Sequence, residues 1–224
     1  MVGILIAGIA PGIALLYYFY LKDKYEPEPI NLVIRTFLFG AILVFPISFV
    51  DQIFDKEYLF HSNFSKAFFR TGFLEESLKW IVLYYCAYLH KEFDEPFDGI
   101  VYGSAVALGF ATAENILYTF VYGTQTALIR SLLPVSSHAL FGVIMGYYIS
   151  KVKFSLGNKG KWIILSLLVP IILHGLYDYI LLIQTSWLTM MLPFMFFLWW
   201  FAMAKLNFAQ GLSKQYFDKL SQKG

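Results

Sequence analysis

Long apolar runs dominate the chain, and its polar residues gather between them rather than alternating with them. A run of about 20 mainly apolar residues is what an α-helix needs to cross the hydrocarbon core of a bilayer. The chain reads as seven such runs, roughly 2–20, 30–50, 67–89, 99–121, 131–150, 162–183 and 187–204. The third is the least regular, because Glu75, Glu76 and Lys79 interrupt it. Segment 51–66 places Phe54, Tyr58, Phe60 and Phe64 among charges and reads as an interfacial element. The first run has no basic leader and no small-residue cleavage site after it, so it reads as a span rather than a cleaved signal. Repeats, low-complexity tracts and long linkers are missing. The expected architecture is therefore an all-α, polytopic transmembrane bundle forming one domain over 1–224.

Composition agrees with the pattern. Of 224 residues, 58% are hydrophobic and only 14% charged, whereas a soluble domain carries about 25% charged residues. Mean hydropathy is +0.62. Disorder is excluded, since it needs low hydrophobicity and high net charge. A net charge of +2 without a basic, aromatic-studded polar face argues against nucleic acid as a partner. The single cysteine, Cys86, rules out an intrachain disulfide and a Cys-rich zinc site, and reads as a small buried hydrophobe. The distribution of Lys and Arg then sets orientation. With the N-terminus outside, twelve of the seventeen fall on the inner side and four on the outer, Lys79 lying within a span. The C-terminus is expected inside.

Ionisable groups within the spans carry the functional signal, because a charge at the bilayer centre costs about 2.5–3.5 kcal/mol on insertion scales. Span three holds Glu75, Glu76 and Lys79, span four Glu114 and Asn115, span five His138, and span six His174 and Asp178. Glu75 with Lys79 and His174 with Asp178 are spaced i, i+4, so each pair shares a helix face. At ~1.5 Å per residue, Glu75, Glu76, Glu114, His138, His174 and Asp178 lie roughly 8–14 Å below the outer ends of their spans. Each feature has a plain structural explanation taken alone: first-turn acids, a packing histidine, an interhelical clamp. Four coincidences at one level are harder to accept than a shared polar cavity that opens outward. Gly99/Gly103 and Gly142/Gly146 are small-xxx-small patterns that permit close helix approach, and Asp98-Gly99 reads as a helix N-cap.

Two chemistries suit this residue set. A glutamate beside a second carboxylate can serve as general base toward water, with a histidine or amide holding the developing oxyanion. The same residues could bind zinc in an open catalytic site. No cofactor is assigned; zinc is the alternative, drawn from Glu75, Glu76, Glu114, His138 and His174. The competing class is a non-enzymatic proton-coupled transporter or receptor that uses the same Glu/His/Asp cluster.

The blocks Glu75-Glu-Ser-Leu-Lys79, Phe110-Ala-Thr-Ala-Glu114, His138 and His174-Gly-Leu-Tyr-Asp178 resemble the E-E-x-x-K, F-x-x-x-E, H and H-x-x-x-D motifs of the PrsW proteases. The similarity extends over nearly the whole chain, including Phe97-Asp-Gly-Ile-Val-Tyr-Gly103 and Leu192-Pro-Phe-Met195. It implies a multi-pass protease of the bacterial cell membrane. Such a protease makes the first, extracytoplasmic cut in a single-span anti-sigma factor of the RsiW type and so activates a sigma factor under envelope stress. Membrane lipid is the other partner implied. The catalytic set carried over is Glu75, Glu76, Glu114, His138, His174 and Asp178, with Lys79, Phe110 and Asn115 in support. The related CAAX-protease superfamily differs at two positions: its basic residue comes one place later than Lys79, and a histidine stands where Glu114 stands here.

Overall fold

The computed structural model describes residues 2–123, 125, 129–183 and 186–222, and among them the chain is helical with no strand. In order, the elements are α1 (Val2–Tyr20), α2 (Ile30–Ile42), α3 (Val44–Lys56), the short α4 (Asn63–Ser65), a π-helix π1 (Lys66–Phe73), α5 (Leu74–Leu83), π2 (Tyr84–Tyr88), α6 (Asp98–Tyr122), π3 (Ser131–Val135), α7 (Ser136–Phe154), α8 (Lys159–Leu182) and α9 (Trp187–Ser221). Among the described residues, five helices are long and apolar enough to cross a membrane: Ile30–Lys56, Asp98–Tyr122, Leu132–Phe154, Lys159–Leu182 and Trp187–Ser221. Leu5–Tyr20 is a shorter apolar helix.

Two of the seven expected runs therefore stand apart. Run 2–20 is helical but short, and run 67–89 is helical yet built as a π–α–π succession through its charges. The interfacial segment also differs from expectation, because helix continues to Lys56. The reason is Arg70, whose guanidinium binds both Asp51 and Asp55, one turn apart on α3. With their charges answered, those two acids need not leave the helix. Beyond it, Ser62 and Ser65 cap α4 reciprocally at 3.1 and 3.2 Å. The last helix runs 35 residues, well past the expected end at 204.

At the centre stands α6, packed against α1, α2 and α7, while α7 also contacts α8, and α8 contacts π1. Nearly every residue of α6 up to Thr112 and of α7 up to Val152 is buried. The outer helices instead expose Phe45, Phe49, Phe196 and Trp200, the surface expected of a chain solvated by lipid tails.

The two small-residue motifs turn out to be each other's partners. A Cβ at Gly146 would lie 1.7 Å from the Gly99 carbonyl oxygen, and one at Gly103 2.3 Å from that of Gly142. No side chain fits there without moving a backbone. Gly146→Ala should therefore lower the melting temperature in detergent, as overpacking costs typically 1–3 kcal/mol. Gly211→Ala in α9, where nothing lies within 4 Å, should do the reverse, since Ala exceeds Gly in helix propensity by about 1 kcal/mol. Equal shifts for the two would show that this seam is not tight.

Two smaller expectations are corrected. Asp98 does not cap α6 forward; its Oδ2 accepts the backbone N–H groups of Asp94 and Glu95, 2.6 and 2.7 Å away, and so ties down the loop before the helix. Cys86 is half-buried rather than buried, because π2 turns it partly outward.

Candidate active site

The polar residues of four runs meet in one place. On α5, Glu75 and Lys79 share a face and Glu76 lies beside them, all buried. A π-helical turn carries an extra residue and re-aims the side chains beyond it, and π1 immediately precedes Glu75. Close approach of π1 to α8 depends on glycines. A Cβ at Gly175 would fall 2.4 Å from the Phe68 ring, and one at Gly72 3.1 Å from the Ile171 carbonyl oxygen. That contact brings α5 beside His174.

Lys79 is the hub. Its ammonium donates to Glu75 Oε2 at 3.1 Å and Glu76 Oε1 at 2.8 Å, and lies 3.1 Å from His138 Nδ1. It also stands 4.1 Å above the Phe110 ring, which meets His138 edge-on with centroids 5.4 Å apart. Phe110 thus floors the cluster and supplies a cation–π face. Glu76 Oε1 contacts His174 Nδ1 at 2.8 Å, while His174 Nε2 faces Asp178 Oδ2 at 3.5 Å and Glu75 Oε2 at 4.0 Å. The closest carboxylate on His174 is accordingly Glu76, not Asp178, and Glu76 is placed to set the ring's tautomer. Phe141 stacks on His174, centroids 5.2 Å apart and planes 22° from parallel, so the ring is held in orientation as well.

Glu114 joins through His138, whose Nε2 is 3.6 Å from its Oε2. It is gripped more tightly by Arg130, whose Nη2 lies 2.6 Å away and whose guanidinium sits 3.8 Å over Tyr118. Reading the sequence missed Arg130, which counted there only as an outer-side charge. Its one signal was position: a lone arginine just ahead of span five. Asn115 proves to have another task. Its amide donates to the Gly8 carbonyl at 3.0 Å, which docks α1 on α6 and leaves Asn115 out of the cluster.

A cavity of about 450 Å³ opens onto this assembly, lined by Glu75, Glu114 and Asp178 together with apolar Val44, Ile47, Leu74, Phe110 and Leu117. Asp51, Lys66 and Arg70 also line it. Behind the wall lie Glu76, Lys79, His138 and His174, none more than 5% exposed. Of the two adjacent glutamates, then, Glu75 is the one that lines the cavity. One ligand atom from each of Glu75, Glu76, His138 and His174 also lies within 4.8 Å of the other three. Two imidazoles with carboxylates form a donor set that zinc accepts in catalytic sites, so the residues fit such an ion.

Comparison with known proteins shows the family. Residues 28–204 match the model of the PrsW family intramembrane metalloproteases. The chain is 53% identical to Protease PrsW of Bacillus subtilis over 214 residues, covering 95% of this chain and 98% of that one. It is 50% identical to Protease PrsW of Geobacillus kaustophilus over 96% of this chain and 95% of the relative. With Protease PrsW of Clostridioides difficile it shares 34% identity over 93% and 92% of the two chains. No solved structure matches. The transporter alternative gives way to a membrane protease of the bacterial cell membrane, and the chain belongs to the PrsW family of intramembrane proteases.

Proposed function

We propose that this protease makes the first, extracytoplasmic cut in a single-span anti-sigma factor, releasing a sigma factor under envelope stress. The observation that carries the reading is the cavity, which Glu75, Glu114 and Asp178 line while Glu76, Lys79, His138 and His174 stay buried behind it. In this scheme Glu75 takes a proton from the attacking water and returns it to the leaving amine. His174, held by Glu76 and Phe141 just behind the cavity wall with its Nε2 toward Glu75 and Asp178, acts in this scheme as the imidazolium, whose positive charge steadies the developing oxyanion from behind Glu75. Glu114, braced by Arg130, keeps His138 in place. If a zinc-class ion is bound, Glu76, His138 and His174 would hold it, and it would supply Lewis-acid polarisation of the scissile carbonyl and of water. Glu75 remains the cavity-facing base in either case.

The proposed topology has seven spans, counting Val2–Tyr20 and the π1–α5–π2 rod, with the N-terminus outside and the C-terminus inside. The cavity mouth then faces outward, as a first cut near the outer membrane surface demands. Reporters fused at 57–62 should be read outside and those at 155–158 inside; the reverse would overturn both orientation and cut site. The activity itself is checked by reconstituting the chain with a single-span anti-sigma substrate, with and without a chelator. Cleavage on the outer side of the substrate's span is expected. A cut on its inner side, or none in conditions where the chain cleaves another membrane peptide, would remove the anti-sigma factor from the proposal. Activity lost on chelation and restored by zinc would assign the ion; full activity after exhaustive chelation would leave Glu75 to act on water alone.

A further inference from the structure

A second group of buried acids lies far from the active site, at the end of the bundle where α1 finishes and α6 begins. Asp98 is sixteen residues before Glu114, about 24 Å along α6. Four carboxylates gather there: Asp23 and Glu28 from the α1–α2 loop, Glu95 from the loop before α6, and Asp98 itself. Their exposures are 7%, 3%, 0% and 0%. They meet in two pairs, Asp23 with Glu95 and Glu28 with Asp98. Tyr102 donates its hydroxyl to Glu28, and Asp98 Oδ2 takes two backbone N–H groups, so the second pair has three donors, although Asp98 Oδ1 has none among the described residues.

The first pair is not. Neither oxygen of Asp23 or Glu95 has a well-formed hydrogen bond; only the Tyr25 and Glu26 backbone approaches Asp23. From α9, the fully buried Ser213 hydroxyl is aimed at Glu95 and has no other partner among the described residues. No lysine or arginine pairs with any of the four acids among the described residues. Lys22 and Lys24 flank Asp23 in sequence without an ion pair to it, and Lys153 gives its ammonium to the Phe93 carbonyl. Glu26, Glu92 and Asp94 add further negative charge around the group. Burial, and then Asp23 beside it, pushes the Glu95 carboxyl up to about 9. Buried carboxylates persist when they are paired, protonated or bound to a metal.

We propose that Asp23 and Glu95, with the Ser213 hydroxyl as a third oxygen, form a binding site for a hard divalent cation of the magnesium or calcium class. Such ions take carboxylate and neutral oxygens and keep several waters, so two carboxylates suffice for a magnesium-type site. The three residues come from the α1–α2 loop, the α6 approach and α9. The bound ion thus pins together three segments that are distant in sequence, at the end of the molecule that the charge bias assigns to the cytoplasm. This site is separate from the intramembrane donor set and does not depend on the proposed substrate.

Thermal unfolding of the full chain in detergent at pH 7.5, after chelation, tests the proposal with magnesium, calcium and manganese ions in turn. A ligand at about 100 times its dissociation constant should raise the midpoint by roughly 5–10 °C for a protein this size. The shift should persist in Glu76→Gln, which alters only the intramembrane cluster, and vanish in the isosteric double variant Asp23→Asn/Glu95→Gln. Should that variant fail to fold, manganese binding by electron paramagnetic resonance on the Glu76→Gln chain gives the answer. One bound ion, displaced by magnesium or calcium, supports the site. No shift and no binding with any of the three ions, or the same shift in the double variant, overturns it and leaves a proton shared between Asp23 and Glu95.

Discussion

Glu75→Gln is expected to abolish cleavage while leaving the fold intact. A general base is typically worth about 10²–10⁴ in rate, and Gln keeps the shape and a hydrogen-bond contact to Lys79 without accepting a proton. Glu76→Gln should also inactivate, but by a different route. Glu76 Oε1 serves both Lys79 and His174 at 2.8 Å. An amide there weakens two charge-assisted contacts, so the melting temperature should fall as well. The measurement is cleavage of a membrane-spanning substrate together with thermal unfolding of each variant. Normal cleavage by a folded Glu75→Gln chain would be decisive against the assignment. A stability loss for Glu75→Gln larger than that for Glu76→Gln would reverse the roles of the two residues.

Removing the Lys79 ammonium should have the largest effect on stability. It is 1% exposed and contacts two carboxylates and an imidazole. Breaking a buried ion pair by deleting one partner costs about 3–5 kcal/mol, because the other charge stays buried without compensation. Lys79→Met, which keeps the apolar stem, should therefore lower the melting temperature by on the order of 10 °C and cleave nothing. Adding Glu76→Gln to Lys79→Met removes one of the stranded charges and should recover part of the stability but none of the activity. A Lys79→Met chain as stable as the parent would mean that this ammonium is not the counter-charge that holds the site together.

The all-helical, membrane-length character of the chain and the identity of its misplaced polar residues were legible because both are one-dimensional signals. An apolar run of span length reports itself, and a charge inside such a run is anomalous wherever it comes to lie. Glu75, Glu76, Glu114, His138, His174 and Asp178 could thus be picked out one by one, and even their common level came from counting residues. The pairing of Gly99/Gly103 with Gly142/Gly146 was only half legible: each motif declared a close approach, but neither named its partner.

What the tertiary structure decided is direction and company. Adjacent residues on a helix point about 100° apart, so only the packing of α5 against α8 could turn Glu75 to the cavity and Glu76 inward to His174. Arg130 grips Glu114 and Asn115 turns to Gly8, although 114 and 115 are neighbours in sequence. Arg70 holds the end of α3 in helical form, which no local propensity announced. The sequence by itself determined which ionisable groups stand inside apolar runs, because residue type and order alone define such a run. Which of those groups meet a substrate and which stay behind the wall depends on contacts between residues as much as 98 positions apart, and those exist only once the helices have packed.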